Sequence, residues 1–307
     1  MANPLDRASF VELLETRHRE VAENKYKQLP KMRDQLFRVI NSDSAWESFY
    51  NVGSIPDIPK FNGYLTTLGI SPGYYTKVEP LQFGGQIISE RRLMDTKKYP
   101  VFDTIAEGLI EAANRVMEKY AANQFNHAFS TAFDFMESEE GVSLCSSSHT
   151  TKSGTSTTYG FDNSGTSAMD KTSVAATKII MKQFRNDISE RIDTDDDFEL
   201  IFPDELEETA FEIVKTPRGL DTAALNENFN YGRYAMIPYS RLSDSDTNNW
   251  FMTLKSRRMK DNIWINAIAP ETKDTVDWDT YALKQAIYMV CGCGFLGWQW
   301  VYGHVVS

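Results

Sequence analysis

The sequence predicts an α+β protein, and three observations carry that prediction. One long helical pattern opens at Pro100, with apolar residues three or four apart at Phe102, Ile105, Leu109, Ala113, Val116 and Tyr120, continuing toward Phe129. Several short β-type stretches follow without the strand–helix–strand alternation of a dinucleotide-binding fold. The chain then closes on Trp298, Trp300 and Tyr302 at every second position, the period of one face of a strand. Each such ring removes about 150–250 Å² from water when fully covered. This tail is therefore expected to be clamped into the organising sheet or buried against another copy of the chain.

At the N-terminus, Phe10, Leu13, Leu14 and Val21 among many charges predict a thin amphipathic helix to about Gln28, broken by Pro30 and read as an arm. Met32 to Tyr50 adds a second short periodic piece (Leu36, Phe37, Ile40, Trp46, Phe49), which Gly53 to Pro59 interrupts. Tyr64–Ile70 and Tyr75–Glu79, the latter continuing toward Ile88, read as two strands of a long hairpin turning at Ser71-Pro72-Gly73. Such a ribbon is marginal alone and is expected to lean on something. The Pro100 helix, roughly 29 residues at 1.5 Å each, makes a rod of about 43 Å, a spine.

Residues 143 to 173 hold 16 Ser or Thr and three Gly among 31, the composition of a mobile loop. Ser167 with Asp170 resembles a capping box, opening a helix through Val174, Ile179, Ile180 and Phe184. A strand over Phe198–Phe202, a helix over Pro203–Val214 and a polar loop from Asp221 to Gly232 come next. Tyr234–Tyr239, Trp250–Leu254 and Asn262–Ile268 then read as strands.

Composition bounds the function. With 41% hydrophobic residues and a mean hydropathy of -0.42 the chain is a soluble globular type of one or two domains. Three widely split cysteines and no apolar leader run point to a reduced, intracellular setting. Residues 187 to 212 carry twelve Asp or Glu against Arg191, so the net charge of -11 is concentrated there. A surface built to grip phosphates needs the opposite balance.

Candidate chemistry is thin. Cys145 and His149 offer a Cys/His hydrolase as one alternative, but a thiolate needs a positioned base and a third orienting group, which a mobile Ser/Thr loop does not supply. Cys291-Gly292-Cys293 is too closely spaced for common zinc pairs and reads as buried strand. Asp193, Asp195 and Asp197 fit positions one, three and five of a calcium loop, yet Phe198 stands where Gly is required and Asp204 where a bidentate Glu is required. The 23 residues after Lys284 lack charge, which makes a membrane anchor a second alternative. Four glycines and the two-residue aromatic period argue for strands instead. No catalytic, cofactor-binding or metal-ligating residues are therefore assigned.

Taken in order, these pieces resemble the major capsid proteins of tailed bacteriophages, the Hong Kong 97-type fold. The likeness rests on the stretch from Gly84 to Ala128, which contains IISERRLMDTKKYPVFDTIAEGL and the spine, on LIFPDELEETAFEIV at Leu200 to Val214, and on Asn248 to Leu254 with GWQWVYGH. It implies an N-terminal arm (1–59), an extended hairpin loop (60–90), and a peripheral domain with the spine helix (91–167). It further implies an axial domain (168–254) and a return to the peripheral domain (255–307).

The resemblance implies a non-enzymatic major head protein that self-assembles, as pentamers and hexamers, into an icosahedral shell around double-stranded DNA. The DNA would be enclosed without sequence-specific binding. Implied partners are further copies, a separate scaffolding protein because only about 55 residues precede the hairpin, a portal and decoration proteins; no membrane is involved. Assembly in the host bacterial cytoplasm and residence in the virion capsid follow. Subunit contacts would fall on Tyr64, Tyr74, Tyr75, Lys77 and Phe83, Lys77 being the hairpin lysine in the region where some relatives cross-link. The subunit's core would hold Phe102, Ile105, Leu109, Val116, Tyr120, Trp298, Trp300 and Tyr302.

Overall fold

A computed structural model describes residues 7–90, 92, 99–132, 136–218 and 227–306. Helices α1 (Arg7–Gln28) and α2 (Arg33–Leu36) lead into strands β1 (Arg38–Asn41), β2 (Glu47–Val52), β3 (Pro72–Val78) and β4 (Leu81–Ser89). The spine helix α3 (Tyr99–Asn126) is followed by β5 (Met136–Ser138), β6 (Ser164–Gly165), α4 (Lys171–Met181), β7 (Phe198–Phe202) and α5 (Glu207–Lys215). The chain ends through β8 (Ala235–Pro238), β9 (Trp250–Leu254), α6 (Lys255–Asp261), β10 (Asn262–Val276), β11 (Leu283–Phe295) and β12 (Val301–His304).

The strands form three sheets, with spatial orders β1-β10-β11-β4, β6-β12-β9-β7-β8 and β2-β3-β5. Helix α3 lies over the first. Its buried stripe runs Phe102, Ala106, Leu109, Ile110, Ala113, Met117, Ala121, Phe125, the 3.6-residue period of a helix with one apolar face. Ile105, Val116 and Tyr120, expected in that stripe, flank it half-buried because the helix is rotated toward its alanines. The Phe125 ring is the hub, packing edge-on against Phe37, Tyr239, Phe251 and Trp300 at centroid distances of 5.5 to 6.4 Å.

Strands β7 and β9 are buried on both faces, so their side chains alternate between two cores. Ile201 and Phe251 join the core under the spine, while Leu200, Phe202, Trp250 and Met252 join a second core with α4 and α5. The tail follows the same division. Trp300 is fully buried in the first core, and Trp298 and Tyr302 are buried in the second. The expectation of one aromatic face on one strand is thus corrected. Trp298 and Trp300 lie in a turn closed by Val301 N–H donating to the Trp298 carbonyl at 3.1 Å, and only Val301–His304 is strand. Because β12 pairs with β9 and β6, the last residues complete the sheet of the 168–254 block rather than returning to the first sheet.

The N-terminal segment is docked on its own chain. His18 is buried beside Asp274 and the Phe102 ring, Lys25 reaches Glu111 at 2.9 Å, and β1 pairs in parallel with β10. The side chains of Phe10, Leu13 and Leu14 lie outside the described residues. Met32–Tyr50, read as one periodic piece, is a single helical turn and two strands. The helix over 171–181 is capped by Asp170 and Ser173 in a reciprocal box, three residues later than Ser167 suggested.

The hairpin is the largest correction. The stretch read as the second strand of the ribbon is two strands in different sheets, β3 pairing with β2 and β5 and β4 with β11, and the stretch read as the first pairs with neither, so the chain does not turn at Ser71–Gly73. The antiparallel hairpin is β2–β3, with Glu47 opposite Val78 and Tyr50 opposite Tyr75. Its loop is 53–71. Tyr64–Ile70 is not a strand within the subunit.

Candidate assembly surface

The β2–β3 loop carries a run of exposed apolar side chains. Ile55, Ile58, Phe61, Tyr64, Leu65 and Ile70 are all exposed, Leu65 at 92% and Tyr64 at 83%. Only Asp57 and Lys60 are charged in 54–70, so no solvated charge face balances these residues. Gly63 turns the loop at a φ of 102°, a left-handed conformation that glycine adopts without steric cost. A stretch this apolar and this open marks an interaction surface.

While the loop stands free, its neck is held. Gly53 N–H donates to the Ser71 carbonyl at 2.9 Å, and Ser54 N–H donates to Asp187 Oδ1 at 2.9 Å. Asp187 is held in turn, its own carbonyl accepting from Ser153 Oγ at 2.6 Å. Asn51 Nδ2 donates to the Leu296 carbonyl, and the Tyr74 hydroxyl bonds Thr150 Oγ1 at 2.8 Å. The Glu139 carboxylate accepts from Lys152 Nζ at 2.5 Å and from Tyr75 N–H at 3.0 Å, and these two bonds hold it below the usual carboxylate range. Between neck and body runs a groove of about 520 Å³, whose lining includes Asn51, Gly73, Lys152, Asp187, Arg257 and Trp298.

Of the residues expected at subunit contacts, Tyr64 stands on the free loop. Tyr74 and Tyr75 lie at the neck, Tyr75 against Tyr50 with centroids 6.1 Å apart. Lys77 pairs with Glu79 at 3.2 Å and sits over Trp46. Phe83 turns inward, half-buried against Tyr120 at 5.0 Å. The sequence reading passed over Ile55, Ile58, Phe61 and Leu65. Their signal was an apolar run carrying two prolines, which forbids regular structure while keeping the surface hydrophobic.

The nucleophile candidate is built for packing. Cys145 is buried, and desolvation pushes its thiol far above the ordinary range, opposite to the shift that makes a reactive thiolate. His149, expected in a mobile loop, is 2% exposed and bonds Glu140 and Asn163 at 3.0 and 3.1 Å. Asn163 satisfies this region. Its Nδ2 donates to the carbonyls of Leu144 and Val301, and its Oδ1 accepts from Ser146 N–H. Ser and Thr hydroxyls here bond backbone, so the segment is ordered by polar contacts rather than apolar ones. Burial pushes the Cys291 thiol up to about 12 and raises the Cys293 thiol well above the ordinary range.

Asp197 accepts from Ser256 N–H, and Asp196 is held below its usual range by Lys182 and Lys178, so both face partners in the protein. Among the described residues, no group of three or more His, Cys, Asp or Glu could hold a metal, and no helix is long and apolar enough to cross a membrane.

A profile of the family described as "Phage capsid protein" matches residues 74–303. No curated protein matches the chain. Among solved structures, the mature capsid of bacteriophage PhiM1 superposes with a TM-score of 0.60 at 8% identity, covering 91% of this chain and 88% of that one. The capsid of the empty GTA particle gives 0.55 at 8% identity, covering 91% of each. A virus-like particle from Pyrococcus furiosus gives 0.52 at 9% identity, covering 94% of this chain and 98% of that one.

Proposed function

Since the chain belongs to the phage capsid protein family and has the Hong Kong 97-like fold, we propose that it builds its shell by laying the 53–71 loop on a neighbouring copy. It is a major capsid protein, and its place is the virion capsid. The observation that supports the loop's role is its six exposed large apolar side chains on a neck fixed by Asp187 and Glu139. A held neck lowers the ordering cost of docking, because the loop's base is already oriented. Many modest contacts repeated around a closed symmetric shell add to cooperative assembly.

In this reading the subunits gather as pentamers and hexamers and close around double-stranded DNA. The acidic segment 187–212 lets the shell hold DNA without gripping it. A scaffolding protein, a portal and decoration proteins are the further partners, assembly takes place in the host cytoplasm, and the chain performs no catalysis. The first sheet with the spine serves as the peripheral unit and the second sheet as the axial unit.

Analytical ultracentrifugation and electron microscopy of the purified chain test the reading. Large closed particles are expected. A small species at every concentration, with or without cell lysate to supply helper proteins, would contradict it.

A further inference from the structure

Strand β4 ends the first sheet. It bonds β11 on one side and, among the described residues, has no strand on the other. Proteins usually guard such an edge with a charge, a proline or a bulge. The nine residues Leu81–Ser89 contain no charge and no proline, and their pairing with β11 runs unbroken from Leu81 opposite Cys291 to Ser89 opposite Leu283. Gly84 to Ile88 are all exposed. Among the described residues, the edge is unpaired, uncharged and without a bulge.

The same chain holds a segment with the opposite deficiency. Tyr64-Leu65-Thr66-Thr67-Leu68-Gly69-Ile70 has the aromatic, Thr and aliphatic content of a strand but no partner strand in its own subunit. Its loop leaves the body at Gly53 and Ser71, at the far end of β3 from the start of β4, about 23 Å for seven residues at 3.3 Å each. In its own subunit the segment pairs with no strand and the edge takes up no fifth one, so a second copy is the partner that matches both.

We propose that Tyr64–Ile70 of one subunit adds as a fifth strand to the β4 edge of a second copy. Loop and edge are different patches, so the contact is heterologous and can propagate from copy to copy around a ring or lattice. Main-chain hydrogen bonds hold it, and side-chain pockets need not match closely. This rests on the shell reading and adds the residues and the bonding mode.

Hydrogen exchange read by mass spectrometry on particles and on dissociated subunits tests it. Amides in both 64–70 and 81–89 are expected to exchange at least about tenfold more slowly in particles. Thr66→Pro/Thr67→Pro should abolish particles while leaving the subunit folded, because successive N–H groups of a strand alternate in direction and one of these two must face β4. Thr66→Ala/Thr67→Ala keeps both N–H groups and should assemble. Particles without added protection, protection of 81–89 alone, protection already present in free subunits, or normal assembly of the proline variant would each overturn the strand addition while leaving the shell reading intact. Absence of particles from the unmodified chain would overturn both.

Discussion

His149 lies flat against Trp298, with ring centroids 4.4 Å apart and 10° between their planes. The contact fastens the Ser/Thr-rich segment to the C-terminal turn, and Phe161 and Phe184 complete the wall around the indole. His149→Ala removes a buried ring and leaves Asn163 Oδ1 and the Glu140 carboxylate each short of one partner. A loss of about 2–4 kcal/mol is expected, read as a clear drop in the chemical-denaturation midpoint. A mobile loop would give no change.

The His304 imidazole is pushed down to about 4 by burial, stacked on Trp250 with centroids 4.2 Å apart. It accepts from Ser167 N–H at Nδ1 and bonds Thr177 Oγ1 through Nε2, an arrangement that suits the neutral ring. Between pH 6.5 and 4 the unfolded chain binds the proton and the folded chain does not. Stability is therefore complete above 6.5 and falls as pH drops through this window, by up to about 3 kcal/mol. Denaturation midpoints measured from pH 7 to 4 should show that slope, and His304→Gln should flatten it.

Asp187 fixes one side of the loop's neck. Asp187→Ala leaves the Ser54 amide without its carboxylate acceptor but touches neither core. The subunit should melt within about 1 kcal/mol of the parent, while exchange at 53–56 quickens and particle yield falls. Unchanged exchange there would show that the clasp is not what orients the loop.

Much of the fold was legible where one rule dominates. The spine announces itself through the spacing of Phe102, Leu109 and Ala113, and strands 198–202 and 250–254 through short apolar runs, each interrupted by a single polar residue, Glu199 and Thr253. The hairpin was legible as a hairpin but was displaced along the chain. β2 is half-exposed, so Glu47–Val52 lacks a clean alternation, and its partner is set by pairing with β3 across a 19-residue loop. Tyr64–Ile70 reads as a strand because its residues suit one, although it pairs with no strand in its own subunit. The order of 143–163 was hidden for another reason. It comes from the bonds of Asn163 and from Ser and Thr hydroxyls on backbone, and hydropathy does not register these.

Replacing residues 54–70 with a short Gly-Ser bridge tests the account most directly, with circular dichroism and electron microscopy on the same preparation. The predicted result is a subunit with unchanged secondary structure and cooperative melting that forms no shells, since the loop supplies no core residue to its own chain. Shells of normal yield and size, or a globally unfolded subunit, would contradict it.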